Sequence, residues 1–328
     1  MIDIKRLRVR FRQFGGWRLV LVYARMGVLS TGFRALTQSV LKGRSLKWAY
    51  DVLMEQVDKV LMSRYRPIID EAALRYRATH QEVEGRVPRI VWFCWLQGME
   101  QAPDLVKACL KSQQQHLPDY EFRVLDLSNY RQWVELPEYI VSKYAKGRIP
   151  SASFSDMLRL AVLQAYGGIW MDASVFCSGF GNEKLWARWD RIERSELTIF
   201  RYFRRGRQQP TGLSNWFIAT RPHHVVVSAI YDVLLSYWRD YDCTVDYYMM
   251  HLFLRMALDR LPELEAAMPR ENSYHSILLG DALGRNYDEA AWQDLIAHVS
   301  IHKMNYRKAQ EVSSNPNSYY WKLVKGYC

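Results

Sequence analysis

The chain has 328 residues, of which 49% are hydrophobic and 24% are charged. This composition excludes an intrinsically disordered protein, and the length allows one large domain with an appendage, or two domains. The formal net charge is +11, and residues 1–48 carry almost all of it, since they hold eleven Lys and Arg and one acid, Asp3. The five cysteines lack metal-ligand spacing, which predicts free thiols in a reducing cytosol.

The basic segment, residues 1–48, predicts an anionic partner. Its cations alternate with aromatic and aliphatic residues, and its longest uncharged apolar run, 19–24, is far shorter than the roughly 20 residues that span a bilayer. This pattern favours a helix lying on an anionic membrane surface. A packed helical extension of the fold is the alternative. Nucleic acid is disfavoured, because the sequence has no zinc spacing or RNA-binding aromatic signature.

Two amphipathic helices are predicted next, at 46–65 and 68–80, so residues 1–85 form a helical extension. From residue 86 onward, strand and helix patterns alternate. The continuous apolar run 90–96 predicts a buried strand, and a second strand at 122–125 ends at Asp126. Helices are predicted at 103–116 and 130–144, with a break at Pro137. The alternation predicts an α/β domain over 86–328 with a mostly parallel sheet.

The stretch 150–179 holds the strongest signal for a ligand site. An apolar helix is predicted to begin with Ser153 as its cap and Asp156 as the capping-box acid, and two glycines end it. A short buried strand at 169–171 follows, and Asp172 falls at its C-terminal end, where open α/β sheets bind ligands. Asp156 and Arg159 share a helix face. They form either a local capping ion pair or a pair that binds sugar hydroxyls, with Asp172 holding a metal or a ribose.

The run Ser155-Asp156-x-x-Arg159, followed by Gly167-Gly168-x-Trp170-x-Asp172-x-Ser174, resembles the signature of glycosyltransferases with a DXD sugar-binding region. This group is glycosyltransferase family 32 and its relatives, and the nearest resemblance is to bacterial capsular polysaccharide synthesis proteins. The resemblance extends over about residues 87–308. It implies a GT-A fold, a Rossmann-like α/β architecture, with a nucleotide-sugar donor and retention of anomeric configuration.

The resemblance also implies a divalent cation, Mn²⁺ or Mg²⁺, but the triplet departs from the family pattern. A second acid is usual where Ser174 stands, and serine is a poorer ligand than a carboxylate for a hard cation. Either Asp172 holds the metal alone with the diphosphate and waters, or metal dependence is weak. The predicted metal ligands are Asp172, Ser174 and His302.

Other residues receive donor-side roles from the resemblance. It places Trp95 against the donor's base, with Trp92 as the lesser candidate, and it adds Asp126 and Trp170 to the donor site. Each aromatic residue has an ordinary core position as its alternative. In a last short strand predicted at 299–305, His302 is the first candidate and Lys303 the second for contact with the diphosphate, and a surface strand end is the alternative.

The acceptor side is predicted from two later segments. Asn215, which precedes an aromatic residue, is expected to point its amide at the sugar or acceptor, and a turn position is its alternative. Asp246 is the candidate catalytic carboxylate on the acceptor side, and its alternative is an acid at a helix N-terminus. Arginines at 201, 204, 205 and 207 form either a solvated loop or an anion-binding rim.

The implied activity is transfer of a sugar from a nucleotide-sugar donor, with a UDP-sugar expected first, to a growing surface polysaccharide of capsule or O-antigen (lipopolysaccharide) type, or to its lipid-linked precursor. Two alternatives stay open. One is a nucleotidyltransferase of sugar activation, and the other is a non-catalytic, membrane-associated adaptor with a glycosyltransferase-like domain. The expected location is cytoplasmic, peripheral on the inner face of the bacterial cytoplasmic membrane.

Overall fold

The computed structural model describes residues 15–79, 85–202, 212–307, 309 and 314–327. Residues 1–14 of the basic segment and the arginines at 204, 205 and 207 lie outside these ranges. The chain divides into two compact units. The first unit comprises the described residues of Met1–His80, Leu136–Met157 and Ser228–Pro262. The second unit comprises the described residues of Gln81–Glu135, Leu158–Val227 and Glu263–Cys328. The first unit thus adds two later segments to the predicted helical extension.

The α-helices, in chain order, are α1 (Trp17–Arg25), α2 (Leu29–Leu41), α3 (Leu46–Thr79), α4 (Asp104–His116), α5 (Glu138–Ala145), α6 (Ser151–Tyr166), α7 (Glu183–Arg194), α8 (Val225–Asp240), α9 (Met249–Arg260), α10 (Pro262–Ala267), α11 (Ser273–Ala282) and α12 (Glu289–His298). The strands are β1 (Ile90–Cys94), β2 (Glu121–Leu125), β3 (Gly168–Met171), β4 (Val175–Cys177), β5 (Leu197–Arg201), β6 (Leu213–Thr220) and β7 (Ile301–Lys303). The predicted helix at 130–144 is reduced to a turn at Tyr130–Gln132 and to α5, which begins directly after Pro137.

In the first unit, α3 is one continuous helix of 34 residues with Pro67 inside it. The prediction of two helices, ending at 65 and resuming at 68, is therefore wrong. Val57, Leu61, Tyr65 and Ile69 are all buried and recur every four residues across the proline. This continuous packed stripe holds the helix together, although proline removes one backbone hydrogen bond.

Helix α2 has one buried face and, next to it, one exposed apolar face. Gly32, Ala35 and Ser39 are buried, and a β-carbon at Gly32 would lie 3.3 Å from the Leu53 side chain, so α2 packs closely on α3. The other face carries Phe33 and Val40, which are 71% and 79% exposed. None of the described helices is long and apolar enough to cross a bilayer alone. Helices α1 and α2, bent by 112°, reach the length and composition of a span only as a pair.

The second unit is built on a five-stranded sheet in the order β2-β1-β3-β6-β5. Strand β1 is parallel to β2 and β3, whereas β6 is antiparallel to β3 and β5, so four of the five strands run in one direction. The predicted α/β class with a mostly parallel sheet is confirmed. The apolar runs of β1 and β3 become its buried centre, because helices cover both faces of such sheets.

A small ribbon joins two distant parts of the second unit. Strand β4 pairs antiparallel with β7, with Val175 opposite Lys303 and Phe176 opposite His302. Just beyond the ribbon, the Met304 amide donates to the Ser174 carbonyl at 2.7 Å. The ribbon therefore brings the end of the predicted last strand beside the turn that follows β3.

Helix α6 begins earlier than the sequence predicts. Its first residue is Ser151, and the Phe154 amide donates to the Pro150 carbonyl at 2.9 Å. Ser153 therefore lies inside the first turn and is not the cap. Its hydroxyl lies 3.3 Å from that of Thr244, which belongs to the same unit.

Candidate functional site

Three predicted donor-site residues follow three neighbouring parallel strands. Trp95 follows β1, Asp126 follows β2 and Asp172 follows β3. In the ladders, Cys94 pairs with Leu125 at the ends of β1 and β2, and Val91 and Trp92 of β1 pair with β3. The three residues therefore lie along one edge of the sheet, where the carboxyl ends of parallel strands bind ligands.

The backbone at Asp172 is fixed by the sheet. Its amide donates to the Trp216 carbonyl of β6 at 2.9 Å. The Val175 amide donates to the Asp172 carbonyl at 2.9 Å and closes the turn that leads into β4. The carboxylate is thus presented from a short, doubly anchored turn.

Both oxygens of the Asp172 carboxylate have partners. Oδ1 accepts from Arg159 Nη2 at 2.7 Å and from Trp170 Nε1 at 3.0 Å, and Oδ2 accepts from Lys303 Nζ at 2.8 Å. Burial by itself raises the pKa of Asp172, but Lys303 and Arg159 outweigh it and hold the pKa below its usual value. Because the side chain is still 26% exposed, this ionised carboxylate can meet a ligand.

Arg159 and Trp170 support the carboxylate from inside the protein. The Arg159 guanidinium carbon lies 4.8 Å from the centre of the Trp170 ring, and both residues are buried. The predicted donor contact of Trp170 is wrong, because a ring that is 1% exposed does not reach a ligand. Trp170 instead orients Asp172 through its indole N–H. Asp156 lies half-buried on α6, one turn before Arg159, in the segment that belongs to the first unit.

The structure brings Lys303 to the site and turns His302 away. Lys303 Nζ lies 2.8 Å from both Asp172 Oδ2 and Ser174 Oγ. Neighbouring side chains in a strand point to opposite faces, so His302 lies on the other side of β7. There it is fully buried, and its Nε2 lies 2.9 Å from Ser178 Oγ.

The assignment of His302 as a ligand of a metal or diphosphate is therefore wrong. Burial lowers its pKa to about 3, so the ring is neutral at physiological pH and cannot balance a phosphate charge. Within the described ranges, no three His, Cys, Asp or Glu side chains come together as metal ligands. The predicted set of Asp172, Ser174 and His302 does not converge.

Trp95 lies beside the Asp172 turn. Trp95 and Ala173 of that turn pack against the same buried cluster, and the Tyr306 ring centre lies 5.5 Å from that of Trp95 in an edge-to-face arrangement. The ring is half-buried, and its indole N–H has no hydrogen-bond partner among the residues that the structure describes. Trp92, in contrast, is a core residue: it is fully buried and donates to the Gly167 carbonyl at 2.9 Å.

Asp126 and Asn215 lie at the same edge with different surroundings. Asp126 Oδ1 accepts from the Ser128 amide at 2.7 Å and its hydroxyl at 2.6 Å, so this oxygen stabilises a turn. Asn215 is half-buried on β6, two residues before Phe217, which pairs with Met171. The strand pairing thus brings Asn215 beside the turn that begins at Asp172.

Asp246 lies in the first unit and precedes α9, which begins three residues later at Met249. Burial raises the pKa of its carboxyl, and hydrogen bonds from the Tyr248 and Tyr247 amides partly oppose this. Asp58, in the same unit, was not predicted from the sequence. Its burial and the negative charge of Asp246 raise the pKa of its carboxyl to about 7. The sequence signal for this residue was an acid directly after the apolar Val57.

The sequence analysis also missed Tyr306. This aromatic residue stands three positions after Lys303, and the structure packs it against Trp95. The available signal was its position just beyond a predicted strand end. Together these contacts define the site residues Trp95, Asp172, Ser174, Lys303 and Tyr306.

The fold and these contacts together define an α/β protein with a charged, partly exposed cluster at the carboxyl edge of its sheet. The family model of capsular polysaccharide synthesis proteins matches residues 40–323, so the chain belongs to that family. Among solved structures it is similar to PaToxG Glycosyltransferase, with 12% identity and a TM-score of 0.38, over 84% of this chain and 97% of that one. No match was found among curated proteins. The mostly parallel sheet and the family match are consistent with the predicted GT-A-like fold class.

Proposed function

We propose that this protein is a retaining glycosyltransferase that moves a sugar from a nucleotide-sugar donor, a UDP-sugar in the first instance, to a surface polysaccharide. The acceptor is a growing glycan of capsule or O-antigen type, or its lipid-linked precursor. The observation that carries this proposal is the Asp172 carboxylate, held at a strand end between a guanidinium and an ammonium. Membership of the capsule family supports it.

The charges of the site suit the leaving group of this reaction. The bond between the anomeric carbon and the diphosphate breaks, and the acceptor oxygen forms the new bond to that carbon. The acceptor's proton passes to the departing phosphate oxygen. Negative charge therefore grows on the diphosphate. Cations that the fold already holds in position stabilise this charge without reorganising during the reaction. Lys303 is such a cation, and Trp95 offers an aromatic edge for the base.

The acceptor side rests on two residues. Asn215 lies beside the Asp172 turn and has an amide that can orient a sugar hydroxyl. Asp246 is our proposed acceptor-side carboxylate, where it would accept a hydrogen bond from the acceptor hydroxyl and orient it, while the proton itself leaves with the phosphate oxygen. Neither residue forms a covalent intermediate in this proposal. The acceptor hydroxyl attacks the anomeric carbon on the face that the diphosphate leaves, so the anomeric configuration is retained.

A panel of nucleotide sugars tests this proposal. The protein is incubated with UDP-, GDP- and other nucleotide sugars in excess Mn²⁺, and slow hydrolysis by water replaces transfer. We expect release of a nucleoside diphosphate from at least one donor. Release of pyrophosphate from a sugar phosphate and a nucleoside triphosphate would identify a nucleotidyltransferase instead. Calorimetric titration showing no uptake of UDP or GDP would favour the non-catalytic adaptor.

We also propose that the N-terminal helices attach the protein to the inner face of the bacterial cytoplasmic membrane. The outer face of α2 presents Phe33, Leu36 and Val40 to solvent, and α1 presents Trp17. Residues 15–48 contain six Lys and Arg and no acid. An apolar helix face in a segment whose charged residues are all cations has the composition that binds anionic lipid surfaces. A lipid-linked acceptor would be found at the same surface.

Vesicle flotation tests this attachment. The wild type is expected to float with vesicles containing anionic lipid and to stay unbound with zwitterionic vesicles. Phe33→Ser should weaken binding by about 10- to 150-fold, because one buried aromatic side chain contributes about 1.5–3 kcal/mol. Leu74→Ser is the matched control, since Leu74 is a similarly exposed helical residue, at 67%, on α3. Equal binding of both variants would contradict attachment through α2.

A further inference from the structure

Ser174 stands where the second acid of the Asp172-Ala173-Ser174 triplet is usual, and a lysine from another strand, Lys303, contacts it there. Lys303 Nζ is 2.8 Å from Asp172 Oδ2 and 2.8 Å from Ser174 Oγ, so one ammonium bridges both residues. With Arg159 on Oδ1, two cations surround one carboxylate. A divalent ion at these oxygens would have to displace the ammonium and lie near the guanidinium. The donor set therefore does not fit a hard divalent cation, which binds best where carboxylates accumulate.

The fold holds the Lys303 backbone in place from three sides. Lys303 pairs with Val175 in the β4–β7 ribbon, and the next residue, Met304, donates to the Ser174 carbonyl at 2.7 Å. Helix α11 approaches from the other side at Gly280, where an added β-carbon would lie 2.8 Å from the Lys303 carbonyl oxygen. Such a close approach requires glycine. The position of the ammonium is thus built into the packing of the second unit.

The ammonium retains capacity for a phosphate oxygen. A lysine ammonium donates three hydrogen bonds, and two of them are made to Asp172 and Ser174. The Lys303 side chain is 23% exposed. An anion that enters at the edge of the sheet can therefore reach the third N–H while the two protein acceptors keep the ammonium in position.

We propose that Lys303 takes the place of the divalent cation, so that donor binding and transfer proceed without metal. This inference rests on the proposed function and specifies how the diphosphate is neutralised. Asp172 then acts as a positioning residue for the ammonium and as a hydrogen-bond acceptor for the donor. Ser174 holds the same ammonium from the other side.

The test measures donor hydrolysis and calorimetric binding of UDP and GDP, each in EDTA and in excess Mn²⁺. For the wild type we expect hydrolysis rates and nucleotide affinities that agree within about twofold between the two conditions. Lys303→Met, which keeps the apolar stem and removes the charge, should lose about 10²–10³-fold in hydrolysis. Lys184→Ala, on an exposed lysine of α7, is the control and should change nothing.

A second variant keeps the test decisive if Lys303→Met alone is inactive for structural reasons. Ser174→Asp combined with Lys303→Met restores an Asp-x-Asp triplet and removes the competing ammonium. We expect this double variant to bind Mn²⁺, seen as loss of the free-ion signal in electron paramagnetic resonance, and to hydrolyse donor only when Mn²⁺ is present. The wild type should leave that signal unchanged.

Each outcome decides a separate point. A wild type that hydrolyses donor in Mn²⁺ and loses at least tenfold in EDTA would overturn the role of Lys303 and leave the proposed function standing. Mn²⁺ binding by the wild type without nucleotide would overturn it as well. If no donor is hydrolysed and neither UDP nor GDP binds in either condition, the proposed function fails, and this inference fails with it.

Discussion

Two carboxylates in the second unit each bind two cationic side chains, but their settings differ. Asp172 ends a strand at the carboxyl edge of the sheet, is 26% exposed and meets Arg159 and Lys303. Glu193 lies on α7 with a side chain that is 7% exposed. Its oxygens accept from Arg86 at 2.7 Å, from Arg89 at 3.2 Å and from the Tyr120 hydroxyl at 2.5 Å.

The Glu193 network joins three parts of the chain that are distant in sequence. It borders a pocket of about 480 Å³ that is also lined by Trp186 and Trp189. Burial and the bond to Glu193 raise the pKa of Tyr120, so that hydroxyl stays a donor. The Glu193 carboxylate is 7% exposed and accepts from three neighbouring side chains, whereas the Asp172 carboxylate at the sheet edge is 26% exposed. The number of ion pairs therefore does not separate a ligand site from a structural network; exposure and position on the sheet do.

The largest expected effect on stability comes from Glu193. Glu193→Ala leaves the Tyr120 hydroxyl without its charged acceptor and unpairs two half-exposed guanidinium groups, and we expect a loss of about 2–3 kcal/mol in the free energy of unfolding. Urea denaturation measures it. Asp190→Ala is the matched control, because Asp190 pairs with Arg86 and Arg194 at a half-exposed position and should cost at most about 1 kcal/mol. Equal losses in the two variants would remove the distinction between the buried network and its surface neighbour.

The next effect is on activity. Asp172→Asn keeps the shape of the side chain but weakens its hold on Lys303, and we expect donor hydrolysis to fall by about 10²–10³-fold. The free energy of unfolding should change by less than that of Glu193→Ala. Initial rates and urea midpoints check both expectations. Asp119→Asn, on an exposed loop, should retain full activity. Full activity of the Asp172 variant would mean that the site lies elsewhere.

His302 gives a pH-dependent effect of intermediate size. Its pKa is about 3 in the folded protein and about 6.5 in the unfolded chain, so the unfolded chain binds the proton first. The stabilisation by the neutral ring is complete above about pH 6.5 and is lost as pH falls towards 3, at about 1.4 kcal/mol per pH unit.

His302→Gln should therefore flatten the decline in unfolding free energy between pH 6 and 4.5. Denaturation curves at several pH values measure the difference from wild type. His298→Gln, at an exposed histidine on the end of α12, should leave the slope unchanged. An unchanged slope in the His302 variant would show that this ring reaches solvent and belongs with the open site instead of the core.

The smallest expected effect is at Ser174. Ser174→Ala removes one of the two acceptors of the Lys303 ammonium, and a hydrogen bond of this kind contributes about 1 kcal/mol. We expect kcat/KM for donor hydrolysis to fall about fivefold, with no change in thermal stability beyond a few degrees. A loss of more than a hundredfold would show that Ser174 contacts the donor directly and does more than position Lys303.

The local pattern of the sequence was sufficient for the elements that build the sheet edge. The apolar runs predicted strands at 90–96 and 169–171, and the structure has Ile90–Cys94 and Gly168–Met171. Two glycines between helix and strand forced the turn there, and Asp172 follows at the strand end. These features depend on neighbours within a few residues, so periodicity and turn chemistry determine them.

Only tertiary structure decided the rest. Which of His302 and Lys303 faces the site depends on the register of β7 against β4, and a one-residue shift would exchange the two. The continuity of α3 through Pro67 depends on a packed stripe whose partners lie far away in sequence. The Glu193 network joins α7 to residues about a hundred positions away. The sequence by itself determined where a carboxylate would stand at the sheet edge; long-range pairing decided which cation stands beside it.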